Sequence, residues 1–298
     1  MSLQNFKKPA LTVEQQLLLL QKRGLLVTNF EAAIHRLQTV SYYRLSVYCK
    51  PHQTQLHNFK PNTYFDTVWD LYVFDRELRL LFVDAIERIE VAFRTALINC
   101  MSTSYDPIWY ANKNLFKDYD YSKKKFHIEF IDNIEKICRS PKDDFLQHFK
   151  KNYSDKSPPS WMIFECLSFG TLSLIFKNLK HMKDKNHISR TIGYHATLIE
   201  SWIESLVFTR NTCAHHSRLW NRWFLFRPQL PKNFNTLNDN SEHTIYEQII
   251  IIKLLLKNIC PESNWIDRLF DLFRQYSTVP KSVMGFSDDW QQDRIWSK

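Results

Sequence analysis

Residues Phe65–Met101 read FDTVWDLYVFDRELRLLFVDAIERIEVAFRTALINCM. Val68, Leu71, Phe74, Leu78, Leu81, Phe82, Ala85, Ile86, Ile89 and Phe93 recur at steps of three and four, the repeat of a helix that turns one face toward a core. No proline or glycine interrupts the run. Asp75, Arg76, Arg79, Asp84, Glu87, Arg88, Glu90 and Arg94 fill the other positions. They are expected to line the solvent face, several of them pairing at i,i+4. One helix of about ten turns therefore organises this chain.

Composition extends that reading to the whole sequence. Only four of the 298 residues are glycine. Tight hairpins need residues that reach positive φ, and phosphate-cradling loops need clustered glycines. Scattered single glycines supply neither, which sets aside the nucleotide-binding α/β folds and predicts an all-α fold.

Helix signals follow on both sides of the long run. In TVEQQLLLLQKRG, Thr12 is the expected N-cap, Gln15 its capping-box partner and Gly24 the stop. TNFEAAIHRL repeats the pattern with Thr28 and Glu31. Pro51 closes SYYRLSVYCKPH, and His52–Thr63 reads as a polar loop. After the long helix, Lys113–Tyr153 is more polar, with SKKKF at Ser122–Phe126 and a helical stretch through Cys138. SPPSWMIFECLSFGTLSLIFKNL reads as a Pro158–Pro159 loop and one apolar helix. Asp184–His195 reads as a polar break, followed by a helix with Ile199, Trp202, Ile203, Leu206 and Val207. Beyond Pro228 and Pro231 come an Asn-rich loop through Asn240, helices over Thr244–Ile259 and Ser263–Tyr276, and a tail expected to dock through Trp290 and Trp296. These signals divide the chain into an N-terminal helical region (1–64), a core (65–225) and C-terminal helices with a tail (226–298), within one continuous globular unit.

A formal charge of +9 favours polyanionic partners, nucleic acid or an anionic membrane. The six cysteines, Cys49, Cys100, Cys138, Cys166, Cys213 and Cys260, form no CxxC pair and fit reduced thiols of a cytoplasmic protein. LLLL at Leu17–Leu20 is too short for a secretory signal. IIIIKLLL at Ile249–Leu256 is too short for a membrane span and is broken by Lys253. A soluble protein with no membrane partner is expected.

The chemistry concentrates in TRNTCAHHSRLWNR, Thr209–Arg222. Asn211 and His215 are four residues apart and share a helix face. Arg210 lies about 140° around the helix from His215, within reach of a ligand near the helix end. An imidazole, a fixed cation and an amide suffice to cleave RNA with no metal and no cofactor, because RNA carries its own nucleophile, the 2′-OH. The histidine would move a proton, and the arginine would grip the phosphate. The products would be a 2′,3′-cyclic phosphate and a 5′-hydroxyl. The same set could also hold RNA without cutting it. Cys213, His215 and His216 lack further ligands at metal-site spacing. Cys213 reads as a packed thiol rather than a nucleophile, and His216 competes with His215 as the active imidazole. Trp220 reads as core, with a base-stacking platform as the alternative.

Arg210–His215, RNTCAH, resembles the signature of the HEPN superfamily of helical ribonucleases. The longer RNTCAHHSRLWNR resembles that of the bacterial abortive-infection proteins of the AbiD/AbiF-like family. YYRLSVY (Tyr42–Tyr48), LYVFDRELRLLFVDAIERIEVAFR (Leu71–Arg94) and PPSWMIFECLSFGTLS (Pro158–Ser173) resemble it as well, in the same order. The resemblance implies a HEPN-type helical bundle with added N- and C-terminal helices, and a role in phage defence. It implies a metal-independent endoribonuclease whose composite site forms in a homodimer, and, in some relatives, a structured small non-coding RNA as partner. Arg210 and His215 would be the catalytic pair and Asn211 its polar helper. His216, Arg218, Asn221, Arg222, Glu90 and Arg94 would be supporting or RNA-contacting residues.

Overall fold

The computed structural model describes residues 9–55, 57–117, 126–231, 241–292 and 294–296. The SKKK stretch at 122–125 and the Asn-rich loop at 232–240 lie outside them. Among the described residues there are twelve α-helices and one two-stranded sheet, so the fold is all-α. None of these helices is long and apolar enough to cross a membrane.

Two compact units are present, Met1–Leu78 with Phe270–Val279, and Arg79–Leu269 with Pro280–Lys298. Helix α1 (Val13–Lys22) of the first unit carries the Thr12–Gln15 capping box. Helix α2 (Phe30–Val40) begins one residue later than the Thr28 signal suggests. Asn29 caps it by accepting from the Ala32 N–H, and the Thr28 hydroxyl donates to Asp66 instead. Helix α3 (Tyr42–Cys49) follows. The expected polar loop contains a short antiparallel pair, β1 (Gln53–Gln55) and β2 (Asn58–Phe59), with His57 at positive φ in the turn.

Helix α4 runs Phe65–Ser104. All ten apolar positions of the predicted stripe are buried, from Val68 at 0% to Phe93 at 0% exposed. Asp84 pairs with Arg88 and Glu90 with Arg94, both at i,i+4. The solvent-face reading fails at Asp75, Arg79 and Arg94, all of which are buried. Asp75 accepts the Tyr48 hydroxyl at 2.5 Å.

Arg94 explains a second departure. The single apolar helix expected after Pro159 is broken into α7 (Ser160–Ile163), a 3-10 turn (Phe164–Cys166) and α8 (Phe169–Asn178). A break in a buried segment leaves carbonyls that need donors. Arg94 supplies them, to the Phe164 carbonyl at 3.1 Å and the Leu167 carbonyl at 3.3 Å, while holding Glu90 at 2.8 Å. Ser168 caps the new start by accepting from the Thr171 N–H. Between α4 and this segment, helix α5 (Phe126–Arg139) matches the helical stretch read through Cys138, and a second helix of nine residues, α6 (Asp144–Asn152), follows it.

The expected polar break at Asp184–His195 is helix α9 (Met182–Ile192). Its mean polarity hides an apolar side, Ile188 and Ile192, and its buried charges are partnered. Lys185 reaches Glu200 at 2.6 Å, and Asp184 accepts from Tyr105 at 2.8 Å. Gly193 ends it at φ +93°, where a side chain would also strike Asn258. Helix α10 (Ala196–Ala214) packs against α8, α9 and α11 (Ile245–Ile259). Helix α12 (Trp265–Gln275) and the tail complete the chain. The tail docks as expected: Trp296 donates to the Tyr246 hydroxyl at 3.2 Å, and its ring meets those of Phe286 and Trp290.

Arg94→Ala removes the donor of two buried carbonyls and the partner of Glu90. It is expected to cost about 3 kcal/mol of unfolding free energy, measured by urea denaturation. Arg94→Lys, which keeps the charge but not the planar fork, should lose less.

Candidate functional site

The stretch Thr209–Arg222 sits where α10 ends and the chain turns back. Residues 217–231 form a strap that returns along α10, held chiefly by side chains reaching its backbone. Ser205 donates to the Phe226 carbonyl at 2.6 Å, and Trp202 Nε1 to the Gln229 carbonyl at 2.6 Å. The Gln229 N–H donates to Ser201 at 2.8 Å. Buried Gln248 of α11 ties the arrangement together: its amide donates to Ser205 at 2.8 Å, and its carbonyl oxygen accepts from Thr209 at 3.1 Å. Arg227 meets fully buried Glu247 at 2.6 Å and Glu242 at 2.8 Å. Burial pushes the Glu247 carboxyl above its ordinary range, and Arg227 opposes that shift.

Helix α10 stops in a Schellman motif. The His216 N–H bonds the Cys213 carbonyl at 2.9 Å, and the Ser217 N–H bonds the Thr212 carbonyl at 3.0 Å. His215 is the C-cap, and His216 takes the left-handed position at φ +54°. Adjacent histidines therefore have different backbone duties. His215 continues the helix face begun by Asn211, and His216 reverses the chain.

Asn211, His215 and His216 are exposed and Arg210 is half-buried. The Arg210 guanidinium donates to the Asn211 side-chain oxygen at 3.3 Å. The carboxy end of a helix repels anions. Here the Schellman bonds occupy two of the terminal carbonyls, and the sequence supplies the opposite charge. Residues 205–231 contain four arginines, two histidines and no acid. Arg218 donates to the Asn221 carbonyl at 3.0 Å, and Arg222 to the Arg218 carbonyl at 2.7 Å, its guanidinium 6.0 Å from the Phe208 ring. Asn221, at φ +51°, makes the turn into the strap. Arg218 and Arg222 thus order that turn, with neutral acceptors in these bonds.

Glu90 and Arg94 are placed differently. Their bonds run to each other and to the Phe164–Leu167 turn, a structural duty. Cys213 is buried, as its packed reading required, and Trp220 is fully buried with its indole N–H on the Pro280 carbonyl. Among the described residues no group of three His, Cys, Asp or Glu side chains could hold a metal ion. One residue that sequence reading passed over stands out. Trp223 is 61% exposed and stacked on His243 at 4.4 Å. Trp223-Phe224-Leu225-Phe226 is uniformly apolar, so the sequence carries no alternation that would have singled it out; only Phe224 of the four is buried.

His216→Gly is expected to raise unfolding stability, by about 1 kcal/mol or less, because glycine fits the left-handed position without a Cβ clash. Thermal unfolding checks this. A clear loss instead would mean that the His216 ring, not the backbone turn alone, holds the helix end.

Comparison with curated proteins gives no match, and none of the solved structures matches either. The family model for Abi-like proteins matches residues 35–221. That span begins in α2, includes α4 and the Arg94-bonded turn, and ends at Asn221. The chain belongs to the Abi-like family of abortive-infection proteins, which places it in defence against phage.

Proposed function

We propose that this abortive-infection protein is a metal-independent endoribonuclease of the HEPN type, acting as a homodimer on RNA. One observation carries the reading. Arg210 and Asn211 are hydrogen-bonded to each other at the open end of α10, and His215 lies on the Asn211 face of the same helix turn.

In this reading His215 takes the 2′-hydroxyl proton or protonates the departing 5′-oxygen. Arg210 holds the phosphate through two N–H groups and stabilises the charge that builds on its oxygens. Asn211 orients the guanidinium. Arg218 and Arg222 draw the flanking phosphates toward the helix end. One chain presents one such set, so a second copy would complete a composite site. The buried anchorage of α10 supports the reading, because a cleaving constellation must be held to a fraction of an ångström.

Purified full-length protein incubated with RNA in EDTA should yield 2′,3′-cyclic phosphate and 5′-hydroxyl ends. His215→Ala and Arg210→Ala should each lose about 100-fold or more in cleavage rate with unchanged thermal unfolding. RNA that is bound tightly and stays intact would favour the rival reading, a non-catalytic RNA-binding protein or small-RNA partner of the defence system.

A further inference from the structure

We propose that Trp223 is a stacking platform for an unpaired RNA base next to the cleavage site. The inference rests on the ribonuclease reading and adds what that site recognises.

The platform is built from backbone outward. The Phe224 N–H donates to the His243 carbonyl at 2.7 Å, and His243 Nδ1 lies 2.8 Å from the Phe224 carbonyl. A carbonyl only accepts, so Nδ1 carries the proton and the imidazole plane is fixed. The His243 N–H is itself held by Glu247 at 3.1 Å, and the next residue, Thr244, caps α11. On this floor the Trp223 indole lies nearly parallel, at 13°. A large apolar side chain left exposed yet held rigid has already lost the rotamer freedom that binding would otherwise remove.

Its position follows from helix phase. Arg222, Phe224 and Phe226 of the strap all pack on Phe208, so Trp223 and Leu225 between them face away. Phe208, Asn211 and His215 recur at steps of three and four and share one face of α10. From Phe208 to His215 is about 10 Å along the helix, so the strap residues seated on Phe208, which flank Trp223, lie about two turns of α10 before His215.

The ligand follows from chemistry. The indole offers a flat face, the strap that carries it holds Arg218 and Arg222, and the neighbouring carboxylates Glu242 and Glu247 are both paired with Arg227. Stacking with adjacent phosphate contacts is how proteins grip single strands, and it tolerates any base sequence. A paired base keeps both faces in its own stack, so the platform selects loops, bulges or strand ends.

The test is binding, which needs no cleavage. Full-length protein is titrated at fixed salt with a short single-stranded RNA made uncleavable by 2′-O-methyl groups, and with versions carrying one abasic residue scanned along the strand. Trp223→Ala should weaken binding about 5- to 100-fold, and Trp223→Phe only severalfold. At one abasic position the wild type should fall to the level of Trp223→Ala, which should lose nothing more there. Should Trp223→Ala fail to fold, the abasic scan on wild type and Trp223→Phe still decides. Unchanged affinity for Trp223→Ala overturns the proposal. So does an abasic scan without effect, or a changed oligomeric mass with RNA affinity intact, which would assign the indole to a protein partner. A protein that shows the stacking pattern and never cuts RNA refutes the ribonuclease reading alone. One that cuts RNA with Trp223→Ala at unaltered KM refutes the platform alone.

Discussion

Everything at the end of α10 depends on a small buried hydrogen-bond network. Gln248 of α11 bonds Ser205 and Thr209, and Ser205 in turn holds the Phe226 carbonyl. Each such bond contributes only about 1 kcal/mol net, but a member left without its partner costs about 1–3 kcal/mol. The network therefore fixes register more than it adds stability. Sliding the strap by one residue would orphan the Phe226 and Gln229 carbonyls and the Trp202 indole N–H, and would leave Ser205 with Gln248 alone. One placement of strap against helix satisfies them all, and that placement sets where Arg218, Arg222 and Trp223 stand.

The same logic accounts for the unusual charge of the stretch. A helix carboxy terminus is a poor place to bring a phosphate, because its carbonyls present negative charge. Two carbonyls are consumed by the Schellman bonds, and the acids that usually balance arginines are absent from 205 to 231. Arg227, the arginine whose ion pairs run to Glu242 and Glu247, works as an anchor for the strap. Arg210, Arg218 and Arg222 donate at the helix end to neutral oxygens, those of Asn211, Asn221 and Arg218.

Much of this was legible in the sequence, and the misses share a cause. The periodic stripe of α4, the capping box at Thr12 and the helix of Thr244–Ile259 are local signals, and each lies where it was read. Local patterning could not reveal that Asp75, Arg79 and Arg94 are buried, because burial of a charge depends on partners distant in sequence, Tyr48 for Asp75 and the Phe164–Leu167 turn for Arg94. Helix α9 was misread because its polar residues outnumber its apolar ones. The motif Arg210, Asn211 and His215 was legible as a helix-end cluster. The division of labour between His215 and His216 was not, since a left-handed φ is set by the chain reversal rather than by residue type. Trp223 escaped notice because an exposed tryptophan and a core tryptophan look alike in sequence, and Trp220 three residues earlier is the buried one.

The most direct measurement is a structure of the full-length protein with an RNA strand whose scissile 2′-hydroxyl is replaced by hydrogen. One phosphate is expected within hydrogen-bond distance of both the Arg210 guanidinium and a His215 imidazole, from the same copy or from a second one. A strand seated elsewhere, with Arg210 and His215 both left to solvent, would contradict the assignment of this helix end as the cleavage site.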